Sequence, residues 1–560
     1  MDSLRPTVVA MISVLGAYGS ALLLERGAHL RVDVVVTAVV LALTLARAQR
    51  DAAPGDRLLA CVVMPPAAMA ATWIAELIPR HPALGGALFA GAMAATIELR
   101  RFGPRIAAAG TVSALPLVAS LVVPTGDGPA PPLAHTLWLG LDALIVGAWV
   151  GTVHLCAKHL RAKHLHTQHL HTQHFRSKRV RTKRVDAEHT DSQHPVAAPS
   201  RPQPGPRPRP RPTPRPVPAT GAARRLSAST RMAIQTGVAL GAAFACGRLL
   251  WPEHWSWAVL TTYIVCGGAR GRGDALLKGV LRTLGAAAGT VLAAMLADTF
   301  GTHDPRAVPV IFALLALGTW LRSANYAYWA ACVTAVLSLL YGWFGQPATE
   351  LLPERLAAIL LGAAFGVAAA WLILPIRTAD VLRRRVADAL AALTDLLGGL
   401  PDDRGAATSA VSAAEHPLHR FDAAVAGLRD LEPALRAHHR LVRHRRGGPR
   451  PAAVIDALRA CTAPVHRVAE RPAAVLDHAS ARAAVAANVV AVRRAIGRRP
   501  GAPYHPLPAE LRCSAPQLAD LDTALGRLAA IYAPPPGAPC TTTPIEPPAA
   551  PNASTIFRRR

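Results

Sequence analysis

The chain has 560 residues, of which 51% are hydrophobic and 17% charged, with a formal net charge of +27. A mean hydropathy of +0.26 beside an isoelectric point near 11.1 argues against a soluble nucleic-acid-binding protein, which has no use for long apolar segments. It fits a membrane protein whose basic segments gather on one side.

Crossing a bilayer core takes about 20 mostly apolar helical residues. Six segments of the first part of the chain are candidates: Thr7–Leu24, Val32–Ala48, Leu58–Ile78, Ala83–Leu99, Ile106–Val123 and Leu133–Cys156. The first lacks a small-residue cleavage site and is followed by further spans, so no removable signal peptide is expected. Six more follow: Met232–Leu250, Trp255–Gly268, Gly279–Phe300, Ala307–Leu321, Asn325–Phe344 and Leu356–Ile376. Several are short, so their ends are expected to slip, and two short neighbours could form one re-entrant unit. Loops with Arg47, Arg50 and Arg57, with Arg100, Arg101 and Arg105, and with Arg270, Arg272, Lys278 and Arg322 alternate with poorer ones. That alternation predicts both termini on the cytoplasmic side; only the first hairpin, with Arg26 and Arg31, runs against it.

The segment Gly55–Thr72, GDRLLACVVMPPAAMAAT, returns 218 residues later as Gly273–Thr290, GDALLKGVLRTLGAAAGT, with eight identical positions. The same offset lays the preceding apolar run Val32–Ala48 over Leu250–Cys266. The expected fold is therefore an all-α integral membrane protein of two repeated six-helix halves, residues 1–156 and 230–377, with a working site between the copies. Gly237-x3-Gly241, Gly285-x3-Gly289 and Gly362-x3-Gly366 put small faces on three spans, which lets helices approach closely.

Between the halves, residues 157–229 read as a disordered basic linker. It begins with the pentads AKHLR, AKHLH, TQHLH, TQHFR, SKRVR and TKRVD, and ends in RPQPGPRPRPRPTPRPVP. A period of five gives the histidines His159, His164, His166, His169, His171 and His174 no common helix face, so no metal site is expected. The Pro-rich part is polyproline-like, and its arginines would attract anionic lipid. Beyond the last span, residues 378–533 read as a cytosolic helical domain, opened by Thr378–Leu400 and closed by Pro516–Ala533. Residues 534–560 read as a disordered tail.

Eight cysteines are scattered without a Cys-x-x-Cys pair, so neither a disulfide framework nor a zinc site is expected. The chain holds no G-x-S-x-G, no phosphate-binding G-x-x-x-x-G-K-[ST], no H-E-x-x-H and no dinucleotide fingerprint, so an enzyme and a cofactor are not expected. The candidate residues are instead polar groups within spans. Lys278 and Arg282 replace Ala60 and Met64 of the first copy and share one helical face. Both read as positive anchors or as cations facing an aqueous path. Trp257 and Tyr263 lie within the second span of the later half and read as core or as a lining for a ring-bearing substrate. Asp142, the one carboxylate well inside its span, is a candidate for proton coupling or a partner for Arg282. Arg231 and Gln235 open the seventh span one turn apart, and Gln235 joins the substrate-binding candidates. Arg355 reads as an interface anchor.

The stretch Arg231…Gln235, WPEHWSWAVLTTYIV, RGRGDALLKGVLRTLGAAAGT, Tyr326/Tyr328, Arg355 and GAAFGVAAAWLILP resembles the fusaric acid resistance protein-like family, which includes aromatic acid exporters. The resemblance covers Arg231 to about Pro375. It implies a bacterial inner-membrane protein with paired six-helix halves that exports aromatic carboxylates or related weak acids. It is also similar to plant malate channels, in which basic residues line an anion path; by that analogy Lys278 and Arg282 face such a path. The expected function is a secondary transporter exporting aromatic or other organic acids, coupled to protons. A passive organic-anion channel and a non-transporting membrane scaffold are the alternatives. The expected partners are a small organic anion, membrane lipid and a second copy of the chain, with no specific nucleic acid.

Overall fold

The computed structural model describes residues 4–30, 33–50, 52–122, 133–184, 226–269, 271–297, 299–345, 351–376, 378–399, 407–429, 431–436, 451–470 and 478–532. Among them every regular element is helical, and the chain divides into two compact units, Met1–Ile376 and Arg377–Arg560.

The first unit holds α1 (Leu4–Ala28), α2 (Asp33–Ala48), α3 (Pro54–Arg80), α4 (Pro82–Glu98), α5 (Pro104–Ser120) and α6 (Leu133–Arg184). It continues with α7 (Ala228–Leu250), α8 (Trp255–Cys266), α9 (Arg272–Ala297), α10 (Ala307–Leu321), α11 (Tyr326–Trp343) and α12 (Leu352–Leu372). Each overlaps one of the twelve apolar segments, whose ends run past several of the helices. Among the described residues eight are long and apolar enough to cross a membrane, while α8 and α10 are shorter apolar helices. At 1.5 Å per residue the 12-residue α8 rises only about 18 Å, short of a hydrocarbon core of about 30 Å.

Helix starts follow local chemistry. Proline stands at the first turn of α3, α4, α5 and α12, where its missing N–H is no loss. Ser227 Oγ accepts the Thr230 amide (3.0 Å) at the head of α7, and Asn325 Oδ1 accepts the Ala327 amide (3.0 Å) at α11. One boundary differs from expectation: α6 does not stop at Cys156 but runs through the pentads to Arg184. Ala, Lys, Leu, Gln and Arg are good helix formers, and no Gly or Pro interrupts them. The Pro-rich remainder of the linker and the tail from residue 533 lie outside the described residues.

Packing in this unit has a pattern. In the first six helices α1 packs on α2, α3 on α5 and α6, and α6 on α1 and α2. Six helices on, α7 packs on α8, α9 on α11 and α12, and α12 on α7 and α8. The two sets meet through α4 with α7 and through α10 with α1.

Close helix approach rests on small residues. A Cβ at Gly285 would run into the carbonyl oxygen of Ala327, and one at Gly289 into that of Ala331, so α9 and α11 pack backbone against backbone. On α8, a Cβ at Gly362 would likewise meet the carbonyl oxygen of Ala258, and one at Gly366 the side chain of Val265. Gly237 packs on Ala94, whereas Gly241 faces open space.

The second unit contains α13 (Thr378–Gly399), α14 (Ala407–Arg429), α15 (Pro451–Ala460), α16 (Thr462–Glu470), α17 (Ala479–Ile496), α18 (Ala509–Ser514) and α19 (Pro516–Tyr532). It has its own core. Leu390, Leu393 and Leu397 of α13, Phe421 of α14, Leu458 of α15, Val489 of α17 and Leu525 of α19 are all buried in one cluster.

Candidate functional site

Among the polar residues buried in the membrane unit, Arg282, Thr334, Ser338 and Arg355 lie on α9, α11 and α12. Because Gly285 lies on Ala327 and Ala330, and Gly289 on Ala331 and Thr334, α9 and α11 run side by side in the same direction. Arg282, one turn before Gly285, therefore sits at the Tyr326 end of α11. Gly279 faces Ala363 and Val367 of α12, and Arg355, two turns earlier on α12, reaches Ser338 near the far end of α11. The two arginines are thus stepped along the helix bundle, Arg282 within electrostatic range of both Arg355 and Tyr326.

Arg355 is 4% exposed. Its Nη1 donates to Ser338 Oγ at 2.7 Å, and Ser338 in turn donates to the Thr334 carbonyl at 3.1 Å. The guanidinium carbon lies 5.4 Å from the Trp257 ring centroid and 5.8 Å from that of Tyr341, within cation–π range. Trp257 Nε1 donates to the Tyr341 hydroxyl at 3.1 Å and its ring meets Tyr341 edge-on. The His254 ring lies tilted against that of Trp257, 4.4 Å between centroids.

A second arginine pair lies at the Tyr326 end. The Arg47 guanidinium, from the end of α2, sits 3.7 Å from the Trp329 ring centroid. Arg322, just past α10, is 5.6 Å from Trp329 and 5.8 Å from Tyr326. Arg47, Arg322, Arg282 and Arg355 thus form a series of cations, each beside an aromatic ring or within electrostatic range of one. No carboxylate acts on any of the four among the described residues. Arg47 Nη2, Arg282 Nε and Arg355 Nη2 have no hydrogen-bond partner. Arg322 is exposed and Arg47 half-buried, but burying Arg282 and Arg355 without acids is costly, so such groups either face water or await an anion.

Of the residues expected from sequence, Arg282 and Trp257 belong to this series. Arg282 is 3% exposed, deeper than an interfacial anchor. Lys278 stands one turn below it but is engaged, 3.2 Å from the Asp274 carboxylate and 3.2 Å from the Gly267 carbonyl. Tyr263 lies on another face of α8, packed in the cluster of Ile78, Phe89, Leu117 and Leu240, and does not join Trp257. Gln235 ties α7 to the end of α12, its Nε2 donating to the Ile373 carbonyl at 2.5 Å and the Leu374 carbonyl at 3.1 Å. Asp142 is fully buried on α6 and both carboxylate oxygens lack partners. Its helix packs on α1, α2 and α3, away from α9, and no cation acts on it among the described residues. It is not the partner of Arg282.

Arg355 is the largest correction: it is a buried member of the series and not an interface anchor. Its hydroxyl partner lies 17 residues upstream and Trp257 lies on another helix, so no local pattern betrays it. Arg47 and Arg322 read as loop cations in sequence. For Arg322 a signal exists, since Tyr326 and Trp329 follow at helical spacing.

Residues 238–369, from within α7 to within α12, match the family model described as fusaric acid resistance protein-like. No curated protein matches the chain.

Proposed function

We propose that this multi-pass membrane protein, which over residues 238–369 belongs to the fusaric acid resistance protein-like family, is a transporter that exports organic anions across a bacterial plasma membrane. One observation carries the reading: a series of arginines in the membrane unit, Arg282 and Arg355 buried, Arg47 half-buried and Arg322 at its exposed end, on which no carboxylate acts among the described residues. A guanidinium presents a planar fork of donors that fits a carboxylate, and it loses less on leaving water than an ammonium does. An anion entering at Arg47 and Arg322 would pass to Arg282 and then to Arg355. Successive weak sites favour conduction over trapping. Trp329, Tyr326, Tyr341 and Trp257 border the same cations, which supports substrates with an aromatic ring beside the carboxylate. The recurrence of helix pairs six helices apart supports a two-copy architecture with the path at the later copy. No covalent chemistry or cofactor enters this reading, and both termini are cytoplasmic in it.

Proton coupling is assigned to Asp142, the buried carboxyl outside the arginine series. Asp142→Asn should then leave the protein folded and abolish the response of flux to an imposed pH gradient. An intact response would remove Asp142 from the coupling step.

The decisive experiment is efflux of labelled benzoate and succinate from liposomes containing the purified protein, with voltage and pH gradient imposed separately. Benzoate flux that needs the pH gradient supports the exporter. The unneutralised arginine series also suits a passive anion channel, which would carry benzoate under voltage alone. No flux of either acid would overturn both readings.

A further inference from the structure

The second unit carries a cleft that the transport reading does not use. It has a volume of about 590 Å³ and lies between the start of α13 and the end of α17. Arg383 and Arg384 line one wall, and Arg493, Arg494, Arg498 and Arg499 the other. Asp380 is the one acid in the lining, and it lies 3.9 Å from Arg383. No ion pair engages Arg384, Arg493, Arg494, Arg498 or Arg499 among the described residues. Six guanidiniums converging on one concavity repel one another, and nothing in the fold of this unit requires them there, since the core beneath is closed by Val386, Ile496 and Val492.

The cleft is also shaped. The Arg498 backbone adopts φ of 52°, the left-handed conformation that glycine usually takes at a helix end, and the Arg499 amide turns back to the Arg494 carbonyl at 3.0 Å. Gly501 lies against the Arg494 side chain, where a Cβ would push it aside. These features hold arginines of two helices around one space.

We propose that this cleft binds a phosphate-bearing anion. Arginine forks pair with phosphate oxygens through two parallel hydrogen bonds, and a multiply charged phosphate relieves the crowding that a monocarboxylate would leave. The phosphate can belong to a soluble di- or triphosphate or to an anionic lipid headgroup; the chain reaches Arg383 eleven residues after the end of α12 at Leu372.

The test uses the full chain in lipid nanodiscs. In zwitterionic phosphatidylcholine discs, inorganic pyrophosphate should bind saturably by calorimetry and weaken with added salt. Arg384→Gln with Arg494→Gln, both exposed side chains, should weaken binding at least tenfold. The matching lysine pair should fall between, because it keeps charge but loses the fork. Arg420→Gln, on the surface beside Asp395, should change nothing. Discs containing phosphatidylglycerol separate the sources. If lipid occupies the cleft, pyrophosphate binds more weakly there, and wild type retains more of that lipid through delipidation than the glutamine pair does. Unchanged affinity assigns the cleft to a soluble phosphate. Absence of saturable pyrophosphate binding in zwitterionic discs, with equal lipid retention in both proteins, would overturn the proposal.

Discussion

The two units treat buried charge in opposite ways. In the second unit Asp522 is fully buried, and its partners close around it. Asn488 Nδ2 and the Leu507 amide each donate to its carboxylate at 2.8 Å, and the Tyr504 hydroxyl donates to its backbone carbonyl at 2.8 Å. Asn488 completes the ring through the His505 carbonyl and amide at 2.6 and 3.2 Å. In the membrane unit Arg282, Arg355 and Arg47 keep nitrogens without partners, and no acid offsets their charge. A satisfied buried network fixes a loop between α17 and α19. An unsatisfied one costs stability without fixing a loop, and in the transport reading proposed above a bound anion offsets that cost.

Removing one member from each network tests that contrast. Asp522→Ala strands the Leu507 amide in the core and removes one Asn488 hydrogen bond, and should destabilise the protein by about 3 kcal/mol, read as a lowered unfolding temperature. Arg355→Gln removes a buried uncompensated charge. It should leave the unfolding temperature unchanged or raised, while cutting anion flux about tenfold, which is about 1.4 kcal/mol. Arg282→Gln should act alike. Equal destabilisation by Asp522→Ala and Arg355→Gln, with flux intact in the latter, would erase the distinction.

A packing test comes next in size. Gly289→Val puts three carbons where α11 passes, so α9 and α11 must separate or shift, at a cost of about 1–3 kcal/mol. Gly241→Val, facing open space, should cost almost nothing in the same assay. The pair asks whether the small-residue faces of the membrane unit matter through contact or only through composition.

These contrasts also show what the sequence made readable. Apolar run length announced the eight helices long enough to cross a membrane, and glycine spacing announced the small faces of α9 and α12, because both signals are local. The arginine series was only half legible. Arg282 declared itself by standing inside an apolar span, but Arg355 near a helix start looks the same whether it reaches lipid headgroups or turns inward to Ser338 and Trp257. Its direction is set by helices distant in sequence. The length of α6 was missed for another reason: the pentads lack a repeating apolar face, yet helix propensity alone carries them.

The smallest effect is a pH dependence confined to the satisfied network. Burial, reinforced by the nearby Asp522 carboxylate, pushes the Tyr504 phenol above its ordinary value of 10. The folded protein therefore keeps this proton at a pH where the unfolded chain has lost it. Stability contributed by Tyr504 is fully present below pH 10 and declines as pH rises through the folded value, since there the native state binds more protons than the unfolded one. Tyr504→Phe deletes the titrating group and the hydrogen bond to the Asp522 carbonyl. It should cost about 1 kcal/mol near neutral pH and flatten the alkaline decline. Denaturant unfolding followed from neutral pH to above 10 separates the two contributions. A parallel offset between wild type and variant, with the same alkaline slope, would mean that the phenol is held by packing alone and that the ring around Asp522 is less closed than its geometry implies.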